Sequence, residues 1–259
     1  MIKNLIAFHG ADRKVGVTMI AQSVAECIAN YLKTEDVLLV TLNGRQNAQY
    51  LREEASPIDN YRAKLESGIM VSKSEIDRVK NMNNLYVISG VKKETEERLY
   101  HPETAKKLLL DASSQFSIII ADCGSELDNG LAIGGLMSAE KKFMVLSQNE
   151  ATLRRYENMK KYYEGLTLDF DSLIINKYSE RDPYSLGYLR KRLSCEPEKL
   201  YPVALASLGR QAEMEYRTIM NLNEEVFVKD IEKLSFSIID FAGLGHKKDK
   251  RKPRWKGFI

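Results

Sequence analysis

Leu5–Glu26 reads LIAFHGADRKVGVTMIAQSVAE: an apolar run, a loop bounded by Gly10 and Gly16, and a segment of helical period. After the loop, Ile20, Val24, Ile28 and Tyr31/Leu32 recur every three or four residues, the apolar stripe of a helix from about Thr18 to Lys33. A second apolar run, Val37–Leu42, completes a β-α-β unit. In such a unit the loop between strand and helix sets backbone N–H groups around an anion at a helix N-terminus. A lysine ordinarily follows the last glycine of a phosphate-binding loop, and here Val17 stands in that place. The stretch therefore fixes an architecture and leaves its chemistry open.

Outward from this unit, short β-branched runs alternate with longer helical periods. Further strands are predicted at Leu85–Ser89, Ile118–Asp122, Phe143–Ser147, Leu173–Asn176 and Leu200–Val203, and helices at 45–54, 102–113, 150–164, 184–194, 207–220 and 224–243. The alternation predicts an α/β fold, a mostly parallel twisted sheet with helices on both faces in three layers, joined by right-handed crossovers. One domain is expected over residues 1–245, followed by a basic, flexible tail over 246–259. Seven Lys/Arg and one Asp in KKDKRKPRWK (Lys247–Lys256) put +6 on that tail, which leaves −3 on a chain whose total is +3. A nucleic-acid-binding body would carry its basic charge on the folded surface, so attraction to DNA or anionic lipid is assigned to the tail.

The chain has no apolar run of about 18 residues and no signal-peptide pattern, so a cytoplasmic protein is expected. Cys27, Cys123 and Cys195 lack metal-site spacing and are read as reduced core thiols. YENMKKYY alternates charge like a solvated, partner-facing helix.

Ligands of open parallel sheets bind beyond the carboxyl ends of the strands, so the informative segments are HGADRKVGVT, NGRQ, DCGSELDNG, SQNEAT and NKYSERDP. In their order these segments resemble the ParA/MinD group of P-loop ATPases, whose members read GKGGVGKTT after the first strand and DxDP after the second. They carry an Asp after the Walker B strand and an adenine-recognising Asn after a later one. VLLVTLNGRQNAQYL, FSIIIADCGSELD, KKFMVLSQNEATLRRYENM and SLIINKYSERD take the corresponding places over nearly the whole chain. LYVISG is especially similar to the pilus-associated TadZ/CpaE branch.

The resemblance implies a P-loop NTPase fold whose nucleotide site has degenerated. Asp12 falls on the signature lysine, Arg13 and Lys14 on the glycine pair, Gly16 on the last glycine and Val17 on the second lysine. Thr41 and Asn43 take the places of the DxDP acids, and neither is a general base at neutral pH. The implied nucleotide-binding residues are Arg13, Lys14, Val15, Gly16, Val17, Thr18, Met19, Asp122, Asn176 and Pro202. Thr18 and Asp122 are the implied magnesium ligands, and Arg13 or Lys14 the replacement for the lost charge. The ligand expected is ATP or ADP with Mg. No residue is assigned a catalytic role. Plain structural readings stand beside these: Thr18 as a helix N-cap, Asp122 as a turn cap, Asn176 as an ordinary strand end and His9 as a structural or phosphate-neighbouring residue.

The function this implies is a ParA/MinD-like nucleotide binder or pseudo-ATPase that positions or scaffolds, in a pilus or secretion assembly. Hydrolysis would be weak or absent, and the protein cytoplasmic, membrane-associated or polar. A protein partner in a larger assembly is expected, with a homodimer indifferent to nucleotide and with membrane or DNA contact through the tail. The alternatives are an active ParA-type ATPase partitioning DNA and an interaction module that binds no nucleotide.

Overall fold

In the computed structural model, residues 1–46, 50–51 and 55–245 are described. Their elements are β1 (Ile2–Gly10), α1 (Val17–Leu32), β2 (Val37–Thr41), α2 (Asp59–Glu66), β3 (Asp77–Arg78), β4 (Leu85–Ile88), α3 (Pro102–Ser113) and β5 (Ile118–Asp122). There follow α4 (Gly130–Ser138), β6 (Ala139–Ser147), α5 (Glu150–Gly165), β7 (Ser172–Tyr178), α6 (Leu186–Leu193), β8 (Leu200–Ala204), α7 (Gly209–Met214) and α8 (Glu225–Phe241). They build one eight-stranded sheet in the order β3-β4-β2-β5-β1-β6-β7-β8. Among the described strands only the β3–β4 pair is antiparallel.

The strands are apolar on both faces because both faces are covered. Leu5 and Ala7 of β1 face one core with Leu109 of α3 and Leu136 of α4, while Ile6 and Phe8 face another with Ile20 and Ile28 of α1 and Ile231 of α8. β1 lies at the centre, paired with β5 and β6, so the loop after Gly10 emerges between the loops that follow those two strands. The register sets Phe8 beside Asp122 and Thr41 beside Asp122, which brings three strand ends to one point.

Several predicted boundaries shift. No helix occupies the described part of 45–54: Arg45, Gln46, Tyr50 and Leu51 are non-helical, and residues 47–49 and 52–54 lie outside the described residues. The helix sits later, at Asp59–Glu66, where only Tyr61 and Leu65 are buried, too sparse a stripe to stand out in the sequence. The predicted helix 207–220 is cut to Gly209–Met214 and a 3-10 turn at Ile219–Asn221, because Tyr216 adopts φ 48°, outside the right-handed helical region. α4 has no counterpart among the predicted helices; its sequence GLAIGGLMS is glycine-rich and nearly all apolar, and its Gly130 and Gly134 let it approach the carbonyls of Tyr100 and Pro102.

YENMKKYY is not wholly solvated. Tyr162 is exposed, but Tyr156 and Tyr163 are buried, and Tyr163 meets His9 and Phe170 edge-on at 5.9 and 5.1 Å. Cys27 and Cys123 are core thiols, whereas Cys195 is only half-buried. All three cysteines are free. Among the described residues no helix is long and apolar enough to cross a membrane, and no cluster of metal-ligating side chains occurs. The tail predicted over 246–259 lies outside the described residues.

Candidate functional site

The loop Ala11–Gly16 opens where Ala7–Gly10 leaves the sheet. Gly10 N–H donates to the Gly124 carbonyl at 2.7 Å, and Ala11 N–H to that of Val145 at 2.9 Å, so both walls of the loop are strand continuations. A side chain at Gly10 would meet Val17 Cγ2 at 2.6 Å and Val15 Cγ2 at 2.9 Å; the absent Cβ lets these two valines pack back onto the strand. Val17 is therefore a buried packing residue, 6% exposed.

Lys14 and Gly16 both adopt left-handed backbone, at φ 61° and 92°. For Gly16 this is free of strain, and a Cβ there would lie 2.3 Å from Asn176 Nδ2. For Lys14 the same conformation carries a steric cost of about 1–2 kcal/mol. Gly16 is the N-cap of α1, and no side chain caps the helix. Thr18 is thus not the cap that its sequence position allowed. The first turn of α1 presents the backbone N–H groups of Val17, Thr18 and Met19 at the positive end of a helix dipole. Met19 turns its side chain inward, where its sulfur accepts from Ile219 N–H at 3.5 Å.

Beneath the helix start lies a buried polar cluster. Thr18 Oγ1 donates to Asp122 Oδ2 at 2.7 Å, Asn43 Nδ2 donates to the same oxygen at 3.0 Å, and Gly124 N–H donates to Asp122 Oδ1 at 3.0 Å. The turn-capping reading of Asp122 is therefore correct as far as Oδ1 is concerned. Burial pushes the Asp122 carboxyl above its ordinary range, against the pull of these three hydrogen bonds. Thr41 is buried beside it at the end of β2. The cluster holds one acid, with neutral groups on the β2 side.

Side chains from β7 and α5 strap the loop by its carbonyls. Asn176 Nδ2 donates to Val15 O at 2.7 Å, Lys177 Nζ to Lys14 O at 2.9 Å and Arg155 Nε to Ala11 O at 3.1 Å. Arg13 leaves the loop to pair with Glu126 Oε1 at 2.7 Å, and Arg155 reaches Asp12 at 3.5 Å and Glu126 at 3.6 Å. Beside the loop is a cleft of about 390 Å³ lined by Arg13, Lys14, Gln148, Lys177, Asp182 and Leu205 among others. Pro202 lies on β8 opposite Ile175, one residue from Asn176. The structure thus gathers Val15–Thr18, Asp122 and Asn176 into one contact network and diverts Arg13 to a surface ion pair.

Sequence reasoning did not single out Glu126, Arg155 or Lys177. Glu126 sits in the segment following β5 and Lys177 near the carboxyl end of β7, where ligand loops are sought, but Arg155 is a helical residue without a sequence signal. His9 is fully buried between Tyr163 and Phe170, with Nδ1 3.4 Å from Cys123 O and Nε2 without a partner among the described residues. It is a structural residue behind the loop.

Solved structures resemble this fold over nearly their full length. A ParA family ATPase from Chlorobium tepidum TLS superposes with TM-score 0.78 and 15% identity, covering 90% of this chain and 99% of that one. The fold is that of the ParA/MinD P-loop ATPases. The septum site-determining protein MinD from Pyrococcus horikoshii OT3, complexed with Mg-ADP, gives TM-score 0.72 at 16% identity over 94% of this chain and 99% of its own. The ATP complex of a Cyanothece McdA variant gives 0.69 at 14% over 95% and 98%. No protein-family model and no curated protein matches the sequence. What is shared with the ParA/MinD structures is the backbone path.

Proposed function

We propose that this protein is a ParA/MinD-like adenine-nucleotide binder with little or no ATPase turnover, acting as a positioning or scaffolding component. The carrying observation is that Lys14 and Gly16 adopt left-handed turns that suit an anion cradle at an uncapped helix start, while the residue after Gly16 is the neutral Val17. Val17 is packed onto Gly10, and Asn43, a neutral amide, holds the buried acid. Phosphates would rest on backbone N–H groups of Gly16–Met19, with Lys14 the cation best placed to reach them. Asn176 gives one amide N–H to Val15 O and keeps its carbonyl oxygen for an adenine amino group.

The donor set fits a phosphate and admits magnesium through Thr18 and Asp122, a hydroxyl and a carboxylate, the hard oxygen ligands this ion takes. When bound, the ion would neutralise phosphate charge. Cation binding there would have to displace the amide of Asn43 from Asp122 Oδ2, which weakens the metal's contribution. On the β2 side no base is offered for activating water, since Thr41 and Asn43 are neutral. Among the ParA/MinD structures, the Mg-ADP complex of MinD and the ATP complex of McdA support the choice of ligand.

The likeness to the TadZ/CpaE branch points to a pilus or secretion assembly as the setting, in the cytoplasm, at the membrane or at a cell pole. A protein partner is part of this reading, as in the MinC:MinD complex from Aquifex aeolicus. A homodimer would form on apolar surface following Pro202, where Leu205, Met214, Tyr216 and Val226 are exposed. It would be indifferent to nucleotide, because Asp12 stands where the family's cross-dimer lysine would reach. Lipid or DNA contact is assigned to the basic tail. The decisive experiment is titration of the full chain with ADP and ATP by calorimetry, alongside steady-state phosphate release. Binding weakened by Lys14→Ala, with no phosphate release above the blank, is expected. Release that depends on magnesium and is abolished by Asp122→Asn, or absence of binding at millimolar nucleotide, would refute it.

A further inference from the structure

On the nucleotide reading above, on which this inference rests, adenine lies at Asn176 of β7 and the phosphates on the first turn of α1. The sheet runs β2-β5-β1-β6-β7, so each further phosphate extends away from β7, past Thr18 and Asp122, toward the loops that follow β5 and β2. That direction is closed. Gly10 N–H donates to Gly124 O at 2.7 Å, which ties the loop after β5 to the loop after β1. Asn43, just beyond β2, presses on the same glycine: a Cβ at Gly124 would lie 2.7 Å from Asn43 Cβ and 3.2 Å from its Cα. The Asn43 amide is fixed there by Asp122 Oδ2 at 3.0 Å. The open volume lies on the other side of the loop. The cleft there is lined by Ser147, Gln148, Lys177 and Ser179, from the ends of β6 and β7, and by none of Asn43, Asp122 or Gly124.

Charge divides the site in the same way. Arg13, which reaches toward the loop after β5, is held by Glu126 at 2.7 Å. Arg155 is shared between Glu126 at 3.6 Å and Asp12 at 3.5 Å, so two arginines face two carboxylates with no positive charge left over. Asp12 also turns back to accept from Arg13 N–H at 2.8 Å. Lys14, whose carbonyl is held by Lys177 of β7, stays on the adenine side. We infer that the site takes a nucleoside diphosphate in preference to the triphosphate, and that Glu126 sets the distinction by holding Arg13. A diphosphate is served by the backbone N–H groups of the helix start and by Lys14. A third phosphate adds negative charge where the arginines are already neutralised, and it would have to part Asn43 from Gly124 and Arg13 from Glu126 before it gained a cation. Discrimination of this kind comes from what the wrong ligand must disrupt.

The test is calorimetric titration of the full chain with ADP, ATP and a non-hydrolysable ATP analogue, each with magnesium, alongside the Tm at equal concentrations of each. ADP should bind about tenfold more tightly than ATP or the analogue, and should raise the Tm further. Glu126→Gln, a change at a partly exposed side chain, should free Arg13 for the third phosphate. It should tighten ATP and the analogue about five- to tenfold and leave ADP within about twofold of the parent. ATP bound as tightly as ADP by the parent, or a ratio between them that Glu126→Gln leaves unchanged, would overturn the inference while nucleotide binding still stood. Absence of binding by all three ligands would overturn the nucleotide reading and the inference together.

Discussion

Two buried titratable groups with opposite shifts should cancel each other's contribution to the pH dependence of stability across a window that each would otherwise slope. Burial lowers His9 from 6.5 to about 4, since its ring is enclosed by Tyr163 and Phe170 and only Nδ1 meets a carbonyl. Burial raises Glu26 from 4.5 to about 7, against hydrogen bonds donated by Thr218, Gln22 and Asn221. As pH falls from 6.5 to about 4, the unfolded chain protonates His9 and the folded one does not, so stability is lost. As pH rises from 4.5 to about 7, the unfolded chain releases the Glu26 proton and the folded one keeps it, so stability is again lost. Each change is worth roughly 3 kcal/mol. Between pH 4.5 and 6.5 one proton gained by the unfolded state offsets one retained by the folded state, and the two slopes, each about 1.4 kcal/mol per unit, cancel.

Glu26→Gln should uncover the His9 slope. Relative to the parent, the variant should gain roughly 3 kcal/mol as pH rises from 4.5 to 7. His9→Phe should show the reverse, gaining on the parent as pH falls from 6.5 to 4. Packing changes displace the curves without altering these slopes, and Asp122 titrates alike in all three proteins. The assay is urea unfolding in half-unit steps from about pH 4 to 7.5, monitored by circular dichroism. Curves for the parent and Glu26→Gln that remain parallel over the window would refute the reasoning for Glu26. A pH-independent difference between parent and His9→Phe would refute it for His9.

Lys14→Gly should stabilise the protein by about 1 kcal/mol in urea unfolding, because a left-handed residue regains glycine's freedom from steric strain; a loss of stability would mean that Lys14 is held there by interactions worth more than the strain. Glu126→Gln should free Arg13 and loosen Arg155, seen as faster amide exchange at Ala11–Val15; unchanged exchange would show that the carbonyl straps suffice. Sedimentation of the full chain with and without ATP should give the same oligomeric state, and a monomer that dimerises only with ATP would contradict the role given to Asp12.

The parallel sheet was legible because its strands are continuous apolar runs such as Ile118–Asp122, and the register then carried Asp122, Thr18 and Asn176 to the loop without further information. What escaped were elements stabilised by contact alone. α4 has too little polar contrast to show a helical face, and the break at Tyr216 depends on a local left-handed turn in a sequence of acceptable helix formers. At the site, Val17, Thr41 and Asn43 were visible as losses of charge. The direction of Arg13 toward Glu126 was not, since it depends on two loops meeting 113 residues apart in sequence. Likewise Tyr156 and Tyr163 sit among Lys and Glu in a pattern that looks solvated, yet Tyr163 packs against His9 and Phe170 and Tyr156 against Tyr163.

The side-chain straps on the carbonyls of Ala11, Lys14 and Val15 bear on how the protein would signal. A phosphate loop that folds around its ligand spends conformational entropy on doing so, and neighbouring elements can sense that ordering. Here Arg155, Lys177 and Asn176 supply the restraint in advance. An arriving nucleotide would find little disorder to remove and would leave little imprint on α5 or β7, so its presence and absence would look alike to anything bound elsewhere on the surface. On the function proposed above, such a molecule would be a fixture in an assembly rather than a timer: its place could be specified by the ligand, but not its moment.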